Sequence, residues 1–300
     1  MRIGNRRITA IGFIGLALCL VFILIQTSAA LAQLPAEKPD AGAKAAPKFG
    51  FNQAPDPRVQ QRTYRFADTN EDLPYAVFVS SKVSKDKKNP FVLVLHPMGG
   101  NPNSLLRGKT LDLAEEGGYI LAAPMGYNAT GWFGSPVISF AGRGGRGGTA
   151  PAEPPNLAEL SEKDVMNVFE MVRKEFNVDE QRTYLMGHSM GGAGALFLGS
   201  KYASKWAAVA SLAPAAFMME PNRANILGAM KDKVPVILIQ GDADTVVPPV
   251  NTRHWAETMK ELKLDYKYIE VPKGDHGTVI TSGMPDVFAF FNEHIKSQQK

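Results

Sequence analysis

Two stretches of this chain, Phe91-Val-Leu-Val-Leu95 and Val234-Pro-Val-Ile-Leu-Ile239, are apolar without a break, yet each is no longer than a single strand. A strand that shows one face to water alternates polar and apolar residues, so an unbroken run has to be covered on both faces. Strands are expected at 91–95, 119–123, 182–186, 207–212, 234–240 and 266–271. Helical segments fit between and after them at 110–116, 157–176, 191–202, 252–262 and 285–295. On the second of these, Leu160, Val165, Val168, Phe169 and Val172 lie close to one stripe, as on a helix packed against a sheet. Alternating segments at 63–66 and 75–80 add an antiparallel opening. Strand and helix taking turns is the pattern of an α/β fold with a mostly parallel central sheet flanked by helices.

With 300 residues, 45% of them hydrophobic and 21% charged, the chain has enough apolar material for a large core and is neither disordered nor collagen-like. Arg2, Arg6 and Arg7 precede the apolar stretch 11–25, which leads to Ala30-Leu31-Ala32. Residues 1–32 therefore read as an export signal, with Gln33 the new terminus and a secreted or periplasmic destination. A retained membrane anchor is the alternative, although the apolar centre is short of the roughly 20 residues that a span needs. Residues 33–61 are rich in Ala, Pro and Lys with no apolar period and read as a flexible tether. Folding is expected to begin near Arg62, with residues 62–300 forming one domain.

The single cysteine, Cys19, falls inside the leader, so the folded part holds no disulfide, no thiolate metal site and no thiol nucleophile. Lys and Arg number 33 against 29 acids, and without the three leader arginines 30 cations face 29 anions. Such a balance lacks the field that gathers phosphate backbones or anionic lipid. Neither nucleic acid nor stable membrane insertion after leader removal is expected.

The segment Gly187-His188-Ser189-Met190-Gly191 joins an expected strand to an expected helix. A serine on that sharp turn is lifted over the sheet edge, and the flanking glycines remove side chains that would collide there. Its hydroxyl needs a base, and the base needs an orienting acid. Of five histidines, His188 should point into the core, His254 and His294 lie on helices, and His96 braces a loop. His276 remains, just after the last strand and at the same sheet edge as Ser189. For the acid, Asp242 and Asp244 both follow the strand 234–240; Asp244 is favoured because Asp242, nearer the strand, suits a turn-bracing role. The backbone amides of Met98 and Met190 are candidate oxyanion donors.

From about residue 62 to 297 the chain resembles secreted esterases similar to polyhydroxybutyrate depolymerases and feruloyl esterases. The matching pieces are His96-Pro-Met-Gly-Gly100, Gly126-Tyr-Asn-Ala-Thr-Gly-Trp132, Gly187-His-Ser-Met-Gly191, Ala243-Asp244-Thr-Val-Val-Pro248 and His276. The resemblance implies an α/β-hydrolase fold and carboxylic-ester hydrolysis by Ser189, Asp244 and His276, with no metal or organic cofactor. The order Ser, Asp, His is that of α/β-hydrolases. Pro97 departs from the pattern, since glycine is common there, and it stiffens the loop that carries Met98.

The short segment 213–233 leaves no room for a large lid, so the site should be open. Phe217 and Met218 are candidates for lining an acyl pocket, and Tyr127 and Trp132 for stacking on a sugar or phenolic ring of a small or polymeric ester. Arg143 and Arg146, set among glycines, read as a solvated loop. Two other functions fit the same motifs: a serine peptidase of this fold, and a non-catalytic carbohydrate- or polymer-binding module.

Overall fold

A computed structural model describes residues 54–136 and 153–296. Eight strands form one sheet: β1 (Val59–Phe66), β2 (Glu71–Val79), β3 (Asn89–Leu95), β4 (Ile120–Pro124), β5 (Val178–His188), β6 (Ala208–Leu212), β7 (Val236–Gly241) and β8 (Tyr266–Val271). Their order is β1-β2-β4-β3-β5-β6-β7-β8. β2 is antiparallel to both neighbours, and every pairing from β4 across to β8 is parallel. The helices are α1 (Lys109–Gly117), α2 (Leu157–Glu175), α3 (Met190–Lys201), α4 (Arg223–Met230), α5 (Pro249–Leu262) and α6 (Thr278–Glu293).

The unbroken apolar run of β3 is explained by two cores, one on each face of the sheet. Phe91, Leu93 and Leu95 point into a cluster with Val165, Phe169 and Val172 of α2 and Leu196 of α3. Val92 and Val94 point the other way, into a cluster with Leu111 of α1 and Val287 and Phe291 of α6. Alternate side chains leave a strand on opposite faces, so both sets are buried only because helices cover both sides.

Several bounds differ from the sequence reading. β1 starts at Val59, upstream of the expected boundary at residue 62, because Val59 pairs with Phe78. α5 starts at Pro249, whose missing N–H costs nothing in the first turn. α6 starts at Thr278 and carries Pro285 inside it. The carboxylate of Asp275 accepts the amides of Gly277 and Thr278 at 2.9 and 2.7 Å, starting that helix immediately after His276. The segment 213–233 holds a 3-10 turn, Phe217–Asn222, and α4, with no lid domain.

In a parallel sheet all carboxyl ends of strands share one edge. Met98 follows β3, Ser189 follows β5, Asp244 follows β7 and His276 follows β8, so all four arrive there. The opposite edge receives the start of β1 and the residues after α6, where Lys296 N–H donates to Gln181 O at 2.9 Å. Residues 1–32, expected to be an export signal, with Cys19 among them, and Arg143 and Arg146 lie outside the described residues. Among the described residues no helix is long and apolar enough to cross a membrane, and no cluster of His, Cys, Asp and Glu is suited to a metal ion.

Candidate active site

Ser189 has φ 57° and ψ −116°, a backbone conformation that a side chain rarely adopts, and it is 8% exposed. Contacts that leave the turn no alternative hold this strain. A Cβ on Gly187 would lie 2.0 Å from Gly191 O, and a Cβ on Gly191 would lie 2.1 Å from Leu95 O. The Ser189 N–H donates to Leu212 O at 2.9 Å, and its carbonyl accepts from Ala215 N–H at 3.0 Å. The nucleophile turn is therefore wedged between the ends of β3 and β6.

His276 Nδ1 donates to Asp244 Oδ2 at 2.8 Å, and both residues are buried. With the hydrogen on Nδ1, the lone pair of the neutral ring is on Nε2. Asp244 accepts three more hydrogen bonds, from the amides of Val246 and Val247 at 2.8 and 2.9 Å and from Gln240 Nε2 at 3.0 Å. Gln240 is fixed in turn by the Thr252 hydroxyl at 2.6 Å. Burial alone would raise the Asp244 pKa, but the bonds from His276 and from the two amides outweigh it and hold the carboxyl below its ordinary value. Asp242 is exposed and accepts the Lys273 amide at 2.5 Å, which is a turn-bracing role.

The imidazole of His276 packs against that of His188, with ring centroids 4.6 Å apart, and His188 immediately precedes Ser189. The Asp244–His276 pair thus lies beside the residue that precedes Ser189. His96 is buried between the carbonyls of Pro97 and Met125, each 2.8 Å from a ring nitrogen. Burial lowers its pKa against the pull of those two carbonyls, and the ring braces the loop.

Met98 follows that brace with its side chain 51% exposed, and among the described residues neither its amide nor that of Met190 donates to a protein acceptor. Both are available to a developing oxyanion. The neighbouring Gly99 N–H is taken by Ala129 O at 2.9 Å, which ties the Met98 loop to the loop after β4.

Phe217 and Met218 are 39% and 43% exposed, two and three residues beyond Ala215, which bonds the Ser189 carbonyl. Trp132 is half-buried beside Phe133, whose ring stacks edge-on against His96 at 5.1 Å. Tyr127 goes elsewhere: its hydroxyl donates to Glu71 Oε2 at 2.9 Å and its ring lies 5.9 Å from Phe66. That hairpin is three strands from β5, about 14 Å at the usual strand spacing.

The sequence reading passed over Asp164 and Ser161 of α2. Asp164 is fully buried and accepts the Tyr64 hydroxyl at 2.6 Å and the Tyr127 amide at 2.9 Å, and Ser161 Oγ accepts the Phe133 amide at 3.0 Å. Together they strap the loop after β4. The available signal was a carboxylate at helical spacing between Leu160 and Val168.

The strand order and the helices on both faces are those of the α/β-hydrolase fold. Among solved structures, a thermostable esterase matches at TM-score 0.57 and 21% identity over 80% of this chain and 64% of its own. An S-formylglutathione hydrolase from Agrobacterium tumefaciens matches at TM-score 0.62 and 15% identity over 79% and 95%. A ferulic acid esterase from Anaeromyces mucronatus matches at 0.56 and 18% over 78% and 88%. At these identities the likeness is one of fold. Residues 145–278 match the family model described as "Putative esterase". A bifunctional acetylxylan esterase/xylanase from Neocallimastix patriciarum is 26% identical over 162 residues, 53% of this chain, which spans 20% of that relative's length. Over part of its length the chain is thus similar in sequence to esterases.

Proposed function

We propose that this chain is a carboxylic-ester hydrolase that works through an acyl-enzyme on Ser189. The observation that carries this reading is the buried Asp244–His276 hydrogen bond, packed against the residue before a strained serine. Ser189 Oγ attacks the ester carbonyl while His276 Nε2 takes its proton, and Asp244 keeps the imidazole in the tautomer that can accept it. The amides of Met98 and Met190 stabilise the tetrahedral oxyanion. The imidazolium then protonates the departing alcohol, leaving the acyl group on Ser189. Water attacks that acyl group with His276 again as base, and a carboxylic acid leaves.

The exposed Phe217 and Met218, two and three residues beyond the Ala215 that bonds the Ser189 carbonyl, favour an ester whose acyl or aryl part is apolar. Tyr127 takes no part in this binding, since its ring and hydroxyl are committed to the hairpin.

Labelling by a fluorophosphonate probe and hydrolysis of p-nitrophenyl acetate test the reading together. Both should be lost in Ser189→Ala, with turnover falling at least about 10⁴-fold. Undiminished labelling of that variant would refute the nucleophile assignment. Faster cleavage of a peptide amide than of the acetate ester would favour a peptidase instead, and absence of both reactions in the wild type a binding module.

A further inference from the structure

The acid and base loops are joined to each other through main chain. Ala243 N–H donates to Gly274 O at 3.0 Å, and Asp242 N–H to Val271 O at 3.2 Å. Ser189, by contrast, is fastened to the end of β6 and to Ala215. A direct tie between the two groups runs through His188, which donates Nε2–H to the main-chain carbonyl of His276 at 2.7 Å. His188 is fully buried, its ring lies at 45° to that of His276, and its Nδ1 has no partner among the described residues.

We propose that His188 is a positioning residue for the base: by holding the main chain of His276, it sets the distance and tilt of that imidazole relative to the Ser189 hydroxyl. This rests on the assignment of Ser189 and His276 given above. Chain connectivity makes the tie short, because a residue adjacent to the nucleophile grips the base itself. Its protonation state suits the task. Burial, reinforced by the charge that His276 can carry, lowers the His188 pKa to about 3. The ring therefore stays neutral, with its one hydrogen on the nitrogen that faces the carbonyl and a bare Nδ1. A neutral neighbour matters because His276 becomes cationic in each proton transfer, and a second cation 4.6 Å away would oppose that step.

Three variants of the full chain separate donation from packing: His188→Leu, His188→Asn and His188→Gln, each measured for melting temperature and for p-nitrophenyl acetate kinetics. Glutamine carries an amide N–H to nearly the reach of Nε2, whereas asparagine falls one methylene short. In the leucine and asparagine variants kcat should fall about 30- to 100-fold with KM within about twofold, the signature of a misplaced catalytic group. Fluorophosphonate labelling should slow in parallel, and glutamine should restore kcat to within about fivefold of wild type. Equal kcat in the glutamine and asparagine variants overturns the proposal, and that pair decides the matter even if the leucine variant does not fold. Ser189→Ala and His276→Ala run alongside. Wild-type turnover in either sinks the site assignment itself; loss in both, with full turnover in His188→Leu, sinks only the role of His188.

Discussion

The two halves of the sheet build the site in different ways. From β5 to β8, Asp244 is held largely by near neighbours, Gln240, Val246 and Val247, and within the Ser189 turn Gly187 closes directly on Gly191. On the β3 and β4 side, the loop carrying Tyr127, Trp132 and Phe133 has all three at positive φ, 64°, 55° and 55°. That strain is held from a distance, by Asp164, 37 residues from Tyr127, and by Ser161, 28 residues from Phe133. The Asp244 turn is thus specified mainly by residues close in sequence, while the loop after β4 depends on tertiary contacts.

The harshest way to break the local half is Gly187→Ala, whose Cβ would meet the backbone oxygen of Gly191 at 2.0 Å. Backbone at a strand end cannot yield, so activity should vanish and the melting temperature fall by more than about 10 °C. A variant that melts like the wild type would show the wedge to be soft. Next in size, Asp244→Asn should cut kcat about 10³- to 10⁴-fold by disturbing the tautomer of His276, against less than about threefold for Asp242→Asn. Comparable losses in the two would erase the distinction drawn between them.

On the distant half, Asp164→Ala leaves the Tyr127 amide and the Tyr64 hydroxyl without their acceptor. It should cost about 1–3 kcal/mol of stability by chemical denaturation, with the triad still competent for fluorophosphonate labelling. Tyr127→Phe is expected to move stability by less than about 0.5 kcal/mol and to leave KM for phenolic esters unchanged. A clear rise in that KM would place the ring in the cleft after all.

Acid conditions test the local half as a unit. His188 is held neutral with its pKa lowered to about 3, against about 6.5 in an unfolded chain. Between those values the unfolded state binds a proton that the native state refuses, so stability declines as pH falls from near 6.5. The depressed pKa of Asp244 adds stability that is present above its unfolded value and lost as pH falls further. Melting temperatures recorded from pH 7.5 to 4.5 should therefore drop more steeply for the wild type than for His188→Gln. Parallel curves would contradict the buried neutral histidine.

The same contrast explains what could be read without coordinates. Gly187-His-Ser-Met-Gly191 announces itself because its steric demand is local, and the unbroken run at 91–95 announces a doubly covered strand for the same reason. The start of α6 was hidden by Pro285, which looks like a first-turn proline, although Asp275 two residues before Gly277 was the better signal. The linkage of His188 to His276 and the straps from Asp164 and Ser161 could not be read, because they join residues 88, 37 and 28 positions apart. Tyr127 was legible as an aromatic on a loop but not as one turned toward Glu71. Which way a loop ring turns is settled by neighbours that only the folded chain brings up.

One consequence of the strand directions concerns handling rather than chemistry. Lys296 lies beside the start of β5, so a tag or solid support fastened at that residue is held at the sheet edge opposite Ser189. Protein immobilised through residue 296 should keep the edge that carries Ser189 turned toward the solution.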